Sequence, residues 1–253
     1  MDLLKFLKKK QVHSFETLLQ MAADDPSYRV EFIKRILTEK LVIISKSDVG
    51  NEGFVKLKAG AKVSVYTFPD GRVPIFTSPE RIRDKGIFKD NASFLEAKGV
   101  DILDFLKGAK LILNPYSDYG KEFSPEEVAR LLDGTYFNPR EIVVKEKTAV
   151  NIGQPVKYPT EVVKALSNLF FTKPNVVAAY LGWIHQPETN DPPHYIFAID
   201  TVGNYKELIK EAGFIVQQIL GTEEIVDFIQ ITNAGGINDY FIKSTQPFYI
   251  RKI

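Results

Sequence analysis

The second half of the chain alternates apolar runs of strand length with longer amphipathic stretches, and this alternation restricts the fold more than any other feature. Strands and helices are predicted in the order β-α-β-β-α-β: Ala149–Ile152, Pro159–Phe171, Val176–Ile184, Tyr195–Ile199, a helix between the cap Asn204 and Gly221, and Ile225–Ile231. Tyr240–Ile242 is a candidate for one more strand. This order is that of the split βαβ unit, so we expect an α+β domain with a ferredoxin-like sandwich as its candidate architecture.

The first half has a different order of elements and predicts an α+β domain of its own. Helices are expected at Ser14–Asp24, after Pro26, after Ser78-Pro79-Glu80, at Val100–Leu106 and after the capping box Ser124-Pro125-Glu126-Glu127, and strands at Leu41–Ile44, Val63–Phe68, Val73–Phe76 and Leu111–Leu113. The turn sequence Pro69-Asp70-Gly71 predicts a hairpin between the second and third of these strands. We therefore expect two tandem α+β domains at residues 14–134 and 142–253, with an N-terminal extension at 1–13 and a linker at 135–141.

Charge and composition exclude several classes of function. The 33 lysines and arginines balance 32 aspartates and glutamates, whereas a nucleic-acid-binding protein needs a basic excess to neutralise phosphates. The absence of cysteine excludes disulfides, thiolate metal sites and cysteine nucleophiles, and it agrees with a cytoplasmic location. No apolar run approaches the roughly 20 residues that span a bilayer, so stable membrane insertion is not expected. In Met1–Gln11 the apolar residues precede the lysines, unlike a signal peptide, and a short membrane-surface helix stays open there.

Polar residues follow two predicted strands at their carboxyl ends. Thr77 and Ser78 come directly after Val73–Phe76, and Asn114 comes after Leu111–Leu113 on the way to Ser124. If the two strands are parallel neighbours, Thr77, Ser78 and Asn114 share one edge of the sheet, where open α/β sheets place ligands. Helix N-termini there would favour an anion. These four residues are the candidate ligand or anion site; the alternative is that the serines only cap helices and Asn114 forms an Asx turn.

Two of the three histidines flank a turn-rich segment between predicted strands. If the hairpin closes symmetrically around Gln186–Pro193, His185 and His194 face each other and could bind a divalent metal with Glu188 and Asp191. The alternative is an exposed hairpin with incidental histidines. The pair is therefore a weak candidate metal site.

The sequence contains no recognisable catalytic constellation. It has no G-x-S-x-G elbow, no Walker A loop and no G-x-G-x-x-G fingerprint, so no catalytic residue and no cofactor are assigned and an enzyme is not expected. The C-terminal residues Phe248, Tyr249 and Arg251 form a candidate interaction tail, because tyrosine and arginine are common interface anchors. Alternatively, the aromatic residues close the sheet of the second domain.

An ordered set of segments resembles the SseB family. The first half resembles the SseB N-terminal domain at Val73–Glu80, Leu111–Pro115, Leu131–Gly134 and Ala22–Pro26. The second half resembles the SseB C-terminal domain at Ile152–Pro155, Tyr158–Glu161, Val176–Tyr180, Asp227-Phe228 and Pro247–Tyr249. The resemblance implies a bacterial, cytoplasmic protein. The family name refers to enhanced serine sensitivity, which is a cellular phenotype and not a reaction, and it implies no catalytic residues.

These observations favour a non-enzymatic interaction or regulatory protein. Its partner would be an unknown protein or a small molecule, with no nucleic acid, and a homo-oligomer is compatible with the sequence. An amino-acid-sensing module is the first alternative, because ferredoxin-like domains often bind small ligands. An enzyme whose active site follows no known motif is the second.

Overall fold

The computed structural model describes residues 13–46, 53–54, 64–88, 93–138, 150–187, 191–221, 224–232 and 235–251. Contacts divide the chain into two compact units, of which the first comprises Met1–Asp24 and Glu31–Tyr136 as far as they are described, and the second Asp25–Val30 and Phe137–Ile253 likewise. Each unit has its own mixed sheet and helices, which confirms the prediction of two α+β domains. Nearly all of the expected N-terminal extension, the end of the expected linker, Val63 and Glu188 lie outside the described residues.

The elements up to Tyr136 build a sheet in the order β2-β4-β1-β3-β5-β6. The strands are β1 (Lys40–Ser45), β2 (Gly53–Phe54), β3 (Val73–Phe76), β4 (Ser93–Lys98), β5 (Leu111–Leu113) and β6 (Lys121–Phe123). The helices are α1 (Phe15–Asp24), α2 (Arg29–Ile36), α3 (Gly99–Phe105) and α4 (Pro125–Leu132), with a kinked 3₁₀ segment at Pro79–Gly86. Strand β3 pairs in parallel with β5 and antiparallel with β1, so it lies inside the sheet.

The predicted hairpin between Val63–Phe68 and β3 is wrong. The turn itself is present, since the Gly71 amide donates to the Phe68 carbonyl at 2.9 Å. The described residues before it, however, do not pair with β3: Val65 makes an isolated bridge to Ser45 of β1, and the Phe68 amide donates to the Arg72 carbonyl at the turn. All four residues of β3 are buried, and such a strand needs an apolar neighbour on each side, which β1 and β5 supply.

The core of the first unit follows the predicted helical and strand patterns. Helix α1 buries the side chains that its periodicity indicated, Phe15, Leu18, Leu19 and Ala22. Its opposite face is polar and includes Glu16 and Gln20. The buried face holds α1 in place and leaves the polar face available to line a cleft.

The second unit contains the predicted β-α-β-β-α-β order and then two further elements. The strands are β7 (Asn151–Gly153), β8 (Val176–His185), β9 (His194–Thr201), β10 (Val226–Ile231) and β11 (Tyr249–Ile250), and the helices are α5 (Thr160–Phe171), α6 (Tyr205–Leu220) and α7 (Ile237–Ser244). The predicted cap Asn204 accepts a hydrogen bond from the Glu207 amide at 3.2 Å. Tyr240–Ile242, the candidate extra strand, lies inside α7 and is helical.

The sheet order of the second unit differs from that of a ferredoxin-like sandwich. The strands follow β10-β9-β8-β11, and β7 also pairs with β8. A split βαβ unit would place the first strand beside the third, whereas β7 lies beside β8, and β9 and β10 are parallel neighbours joined by α6. The element order is therefore as predicted, but the ferredoxin-like arrangement of strands is not found. The reason is that the chain after α6 forms β10 directly beside β9.

Helices cover both faces of this sheet. Helices α5 and α6 pack through residues such as Leu166, Phe170 and Ala212 against Phe197, and α7 packs through Phe241 against Ile184 and Ile196 on the other face. Across the described part of the chain, no helix combines the length and the apolar character that crossing a membrane requires.

Candidate functional site

The parallel pairing of β3 and β5 brings Thr77 and Asn114 together at one edge of the first sheet. Ile75 and Leu113 are register partners, and the residues that follow them leave the sheet side by side. The backbone amide of Asn114 donates to the Ile75 carbonyl at 2.8 Å, which extends the hydrogen-bond ladder between β3 and β5 by one bond. The sequence-based prediction that these polar residues share an edge if the strands are parallel is thus met by the structure.

Asn114 is the organising residue of this edge. It is 3% exposed, and its backbone has φ +48°, a left-handed conformation that asparagine tolerates better than most residues. Its Oδ1 accepts from the Thr77 amide at 2.9 Å, and its Nδ2 donates to the Thr77 hydroxyl at 2.9 Å. Both ends of the carboxamide therefore hold Thr77, which leaves the Thr77 hydroxyl hydrogen free to donate elsewhere.

The Thr77 hydroxyl leads into a network of charged side chains. It donates to Glu16 Oε1 at 2.8 Å. The Arg81 guanidinium binds the same carboxylate in a bidentate manner, with Nε to Oε1 at 2.9 Å and Nη2 to Oε2 at 2.6 Å. Its Nη1 contacts Asp84 Oδ2 at 3.2 Å, and the Ser117 hydroxyl donates to that oxygen at 2.5 Å. Three separate segments thus meet around one arginine.

The charged side chains of this network and Ser117 line an open cleft of about 480 Å³. The walls are formed by the polar face of α1, the 3₁₀ segment and the loop between β5 and β6, and the lining residues include Ser14, Glu16, Gln20, Arg81, Asp84, Lys85, Asn114, Ser117, Asp118 and Tyr119. At the rim, Lys85 Nζ lies 2.6 Å from Asp118 Oδ1. Lys85 has φ +58°, so two residues of the cleft other than glycine have left-handed backbone, a kind of strain that concentrates at functional sites.

The charges in the cleft stabilise one another. Hydrogen bonds from Arg81, above all, hold the pKa of Glu16 below its usual value despite partial burial, and the Thr77 and Ser78 hydroxyls act in the same direction. The pKa of Arg81 is raised by its bonds to Glu16 and then Asp84. The pKa of Asp118 is lowered by Lys85. The cleft therefore presents fixed charges of both signs at neutral pH.

The two serines of the candidate site have different positions. Ser78 follows Thr77, and its hydroxyl helps to lower the pKa of the Glu16 carboxyl. It makes no capping bond to the 3₁₀ segment that follows. Ser124 lies at the start of α4, next to Phe123, which pairs with Leu111 at the other end of β5. It forms the predicted capping box, with the Glu127 amide donating to its Oγ at 3.1 Å. Ser124 therefore lies outside the cleft.

The proposed histidine metal site is not assembled. In the observed register His194 pairs with Ile184, and His185 pairs with Asn151 of β7 instead. The hairpin closes one residue away from the symmetric register, and a shift of one residue places the two imidazoles on opposite faces of the sheet. Among the described residues, no group of three or more histidine, aspartate or glutamate side chains could hold a metal ion.

His194 instead has a structural environment. It is 6% exposed, its Nδ1 lies 2.8 Å from the Pro192 carbonyl, and its Nε2 lies 3.2 Å from Asp227 Oδ2. The Asp227 carboxylate is the main cause that raises the pKa of His194, against the effect of burial. The imidazole thus links the start of β9 to β10.

The candidate interaction tail packs within the second unit. The rings of Phe248 and Tyr249 lie 6.3 and 5.8 Å from that of Phe170, and the Tyr249 hydroxyl donates to the Phe170 carbonyl at 3.1 Å. Arg251 Nε donates to the Val176 carbonyl at 2.8 Å, and its Nη2 donates to the Lys173 carbonyl. These contacts correspond to the alternative that the tail closes the sheet.

Sequence reasoning missed the charged members of the cleft. Glu16 and Arg81 are separated by 65 positions, and neither belongs to a motif. The one available signal was that Glu16 lies on the polar face of an amphipathic helix, which is also where a solvated glutamate would lie. Arg81 and Asp84 lie in a segment that was expected to be an ordinary capped helix.

The comparisons with known proteins agree with the two-unit organisation. The model of the SseB protein N-terminal domain matches residues 15–130, and that of the SseB protein C-terminal domain matches residues 144–251. The curated proteins named Protein SseB from Escherichia coli (strain K12) and Shigella flexneri are each 25% identical to the chain over 245 residues, which cover 95% of this chain and 93% of the relative. No solved structure matches. With both of its domain models matched in order, this chain belongs to the SseB family.

Proposed function

We propose that this chain is a non-enzymatic regulatory protein whose first unit binds a small polar metabolite of the size and charge of a free amino acid. The observation that carries the proposal is the cleft around Arg81, where fixed charges of both signs line an open space of about 480 Å³. Small-molecule sites usually fall between about 300 and 1,000 Å³. Most such sites are apolar, so a polar lining favours a ligand that is itself strongly polar.

The charges of the cleft support a zwitterionic ligand. Arg81 and Lys85 can pair with a carboxylate, and Asp84 and Asp118 can pair with an ammonium group. Asp84 accepts from the same guanidinium that holds Glu16, so acceptors and donors lie next to each other. An α-amino acid carries its two charged groups at a similarly short separation.

The state of the ionisable groups supports binding rather than catalysis. A general base works best when its pKa lies near the working pH, and the pKa values of Glu16 and Asp118 are lowered by their cationic neighbours. The described lining residues include no histidine, and the sequence contains no cysteine. The available side chains are thus better suited to fixing charges than to transferring protons or forming covalent bonds.

The test is a panel of the twenty common amino acids in a thermal-shift assay, followed by calorimetry on any amino acid that stabilises the protein. A ligand at 100 times its dissociation constant adds roughly 2.7 kcal/mol to the free energy of unfolding. The Arg81→Gln and Asp84→Asn variants should lose the response, and Ser124→Ala, which changes a cap outside the cleft, should keep it. A panel without any response from the wild-type protein would overturn the assignment of an amino-acid-like ligand.

A second candidate function, contact with a protein partner, is favoured by exposed apolar side chains in the second unit. Phe171, Val177 and Ile250 are 81%, 44% and 60% exposed. Their backbones come close at the end of the chain, since the Arg251 amide donates to the Val177 carbonyl at 2.8 Å and its guanidinium reaches the Phe170 carbonyl. The molar mass in solution and a co-purification from the native host, each compared with Phe171→Ser, test for a homo-oligomer or a stoichiometric partner.

Two further expectations belong to this proposal. The family resemblance implies a cytoplasmic location and a link to serine sensitivity. Deleting the gene and measuring growth in added serine tests the second, and a Ser124→Ala chain should complement the deletion better than an Arg81→Gln chain.

A further inference from the structure

We propose that the Glu16 carboxylate occupies the subsite for the carboxylate of the ligand, and that the ligand binds by displacing Glu16 from Arg81. This carboxylate-binding subsite, formed by Arg81 and Thr77, is called the seat. This inference rests on the proposed function, because it says which group of an amino-acid-like ligand binds where. It also gives Glu16 a role that a structural ion pair would not have, that of an internal competitor.

The seat has more donors than an ordinary surface ion pair. Arg81 Nε and Nη2 and the Thr77 hydroxyl all converge on the two oxygens of Glu16. A bidentate guanidinium supported by a hydroxyl donor matches the planar geometry of a carboxylate. Such an arrangement would bind the carboxylate of a free ligand as well as that of a side chain.

The donors are held in place without help from Glu16. Asn114 binds both the backbone amide and the hydroxyl of Thr77, and Asn114 is itself buried at the edge of the sheet. Asp84 holds the other side of the Arg81 guanidinium, and Ser117 in turn holds Asp84. Removal of the Glu16 carboxylate therefore leaves the seat formed.

Glu16 is placed so that it can leave. Its side chain is 35% exposed and that of Arg81 is 36% exposed, so water and a solute reach the pair from the cleft. The backbone of α1 is fixed by the buried side chains on its other face, among them Leu18 and Leu19. Only rotation of the glutamate side chain into solvent is required, which is a fast and local change.

A second Arg–Glu pair in the same unit shows what distinguishes the seat. Arg35 also binds a glutamate, Glu39, through Nε at 2.7 Å and through Nη2. This pair joins residues four apart, Arg35 Nη1 is bound to the His13 carbonyl, and neither residue lines the cleft. It therefore provides a matched control for the loss of a glutamate beside an arginine.

The experiment is chemical rescue of an emptied seat, with acetate as the probe. The thermal unfolding midpoint of Glu16→Ala is measured in increasing sodium acetate against sodium chloride of equal ionic strength, at neutral pH. We expect the midpoint of Glu16→Ala to rise with acetate relative to chloride, and we expect the wild-type protein and Glu39→Ala to show no such difference. Adding Arg81→Gln to Glu16→Ala should abolish the rise. Equal changes of the unfolding midpoint with acetate in Glu16→Ala and Glu39→Ala would overturn the proposal of a carboxylate seat.

A second variant covers the case in which Glu16→Ala does not fold. Glu16→Gln keeps the shape of the side chain and removes its charge, so it competes less well for Arg81. An amino acid that binds the wild-type protein should bind Glu16→Gln about twofold more tightly, a change of roughly 0.4 kcal/mol, whereas its amide derivative should gain nothing. Weaker binding to Glu16→Gln would overturn the exchange, because Glu16 would then contact the ligand directly. A panel without any amino-acid response would overturn the proposed function, while the acetate measurement on either Glu16 variant still decides the seat.

Discussion

Two buried polar side chains, one in each unit, have opposite consequences for function. Asn114 is 3% exposed and His194 is 6% exposed, and each adjoins the end of a strand. The bonds of Asn114 orient Thr77, whose hydroxyl reaches Glu16 inside an open cleft. His194 instead has its Nδ1 bonded to the Pro192 carbonyl and its Nε2 close to Asp227 on the neighbouring strand. A buried polar group thus supports a binding site only when the groups that it orients face open space.

The largest effect is expected from removing Asn114. Asn114→Ala leaves the Thr77 amide without its acceptor and puts alanine into left-handed backbone, so we expect a loss of about 2–3 kcal/mol in the free energy of unfolding. Asn114→Gly removes the same bonds but tolerates the backbone, and it should lose about 1 kcal/mol less. Urea denaturation measures both. Equal losses would show that the left-handed conformation costs nothing here.

A smaller effect is expected from the pH dependence of His194. Because Asp227 raises the pKa of His194, folding favours the protonated imidazole, and Asp191 acts in the same direction. The stabilisation is therefore complete below the unfolded value of 6.5 and is lost as the pH rises through the folded pKa. We expect a decrease of up to about 1 kcal/mol, the range of exposed ion pairs, because Asp227 is partly exposed.

Asp227→Asn is the control for the histidine. It keeps the shape of the side chain and removes the charge that favours imidazolium. Urea denaturation of the two proteins across about pH 6 to 8 should give a flatter profile for the variant. Parallel profiles would assign the pH dependence to another group.

The Glu16–Arg81 pair should have the opposite sign of pH dependence and a smaller magnitude. The pKa of Glu16 is lowered, so its stabilisation is present above the unfolded value of 4.5 and is lost as the pH falls through the folded pKa. Both side chains are about one-third exposed, so screening by water keeps the loss to a few tenths of a kcal/mol. A comparison of acid unfolding of the wild-type protein with Arg81→Gln measures it, and an unchanged midpoint in the variant would contradict the assignment.

The smallest effect is expected from zinc. Since His185 and His194 lie on opposite faces of the sheet, a zinc titration followed by calorimetry should give no stoichiometric heat. A stoichiometric heat that disappears in both His185→Ala and His194→Ala would show that the two imidazoles meet, and would contradict the observed register.

The success of the sequence-based predictions depended on how far apart the interacting residues are. The buried face of α1, the cap Asn204 and the capping box of Ser124 depend on neighbours within about one helical turn, and the structure contains them all. The polar edge at Thr77 and Asn114 was predicted on the condition that two buried strands are parallel neighbours. The hairpin and the histidine pair failed, because strand partners and register depend on packing across the whole sheet.

The sequence by itself determined the two α+β halves, most of the helices and strands, and the exclusion of cysteine chemistry, because periodicity, caps and composition act locally or on average. Only the tertiary structure decided the order of the strands, the register that separates His185 from His194, and the meeting of Glu16 with Arg81 across 65 positions. The physical reason is that a contact between distant segments depends on how buried faces pack. That packing is a property of the folded unit and not of any segment of it.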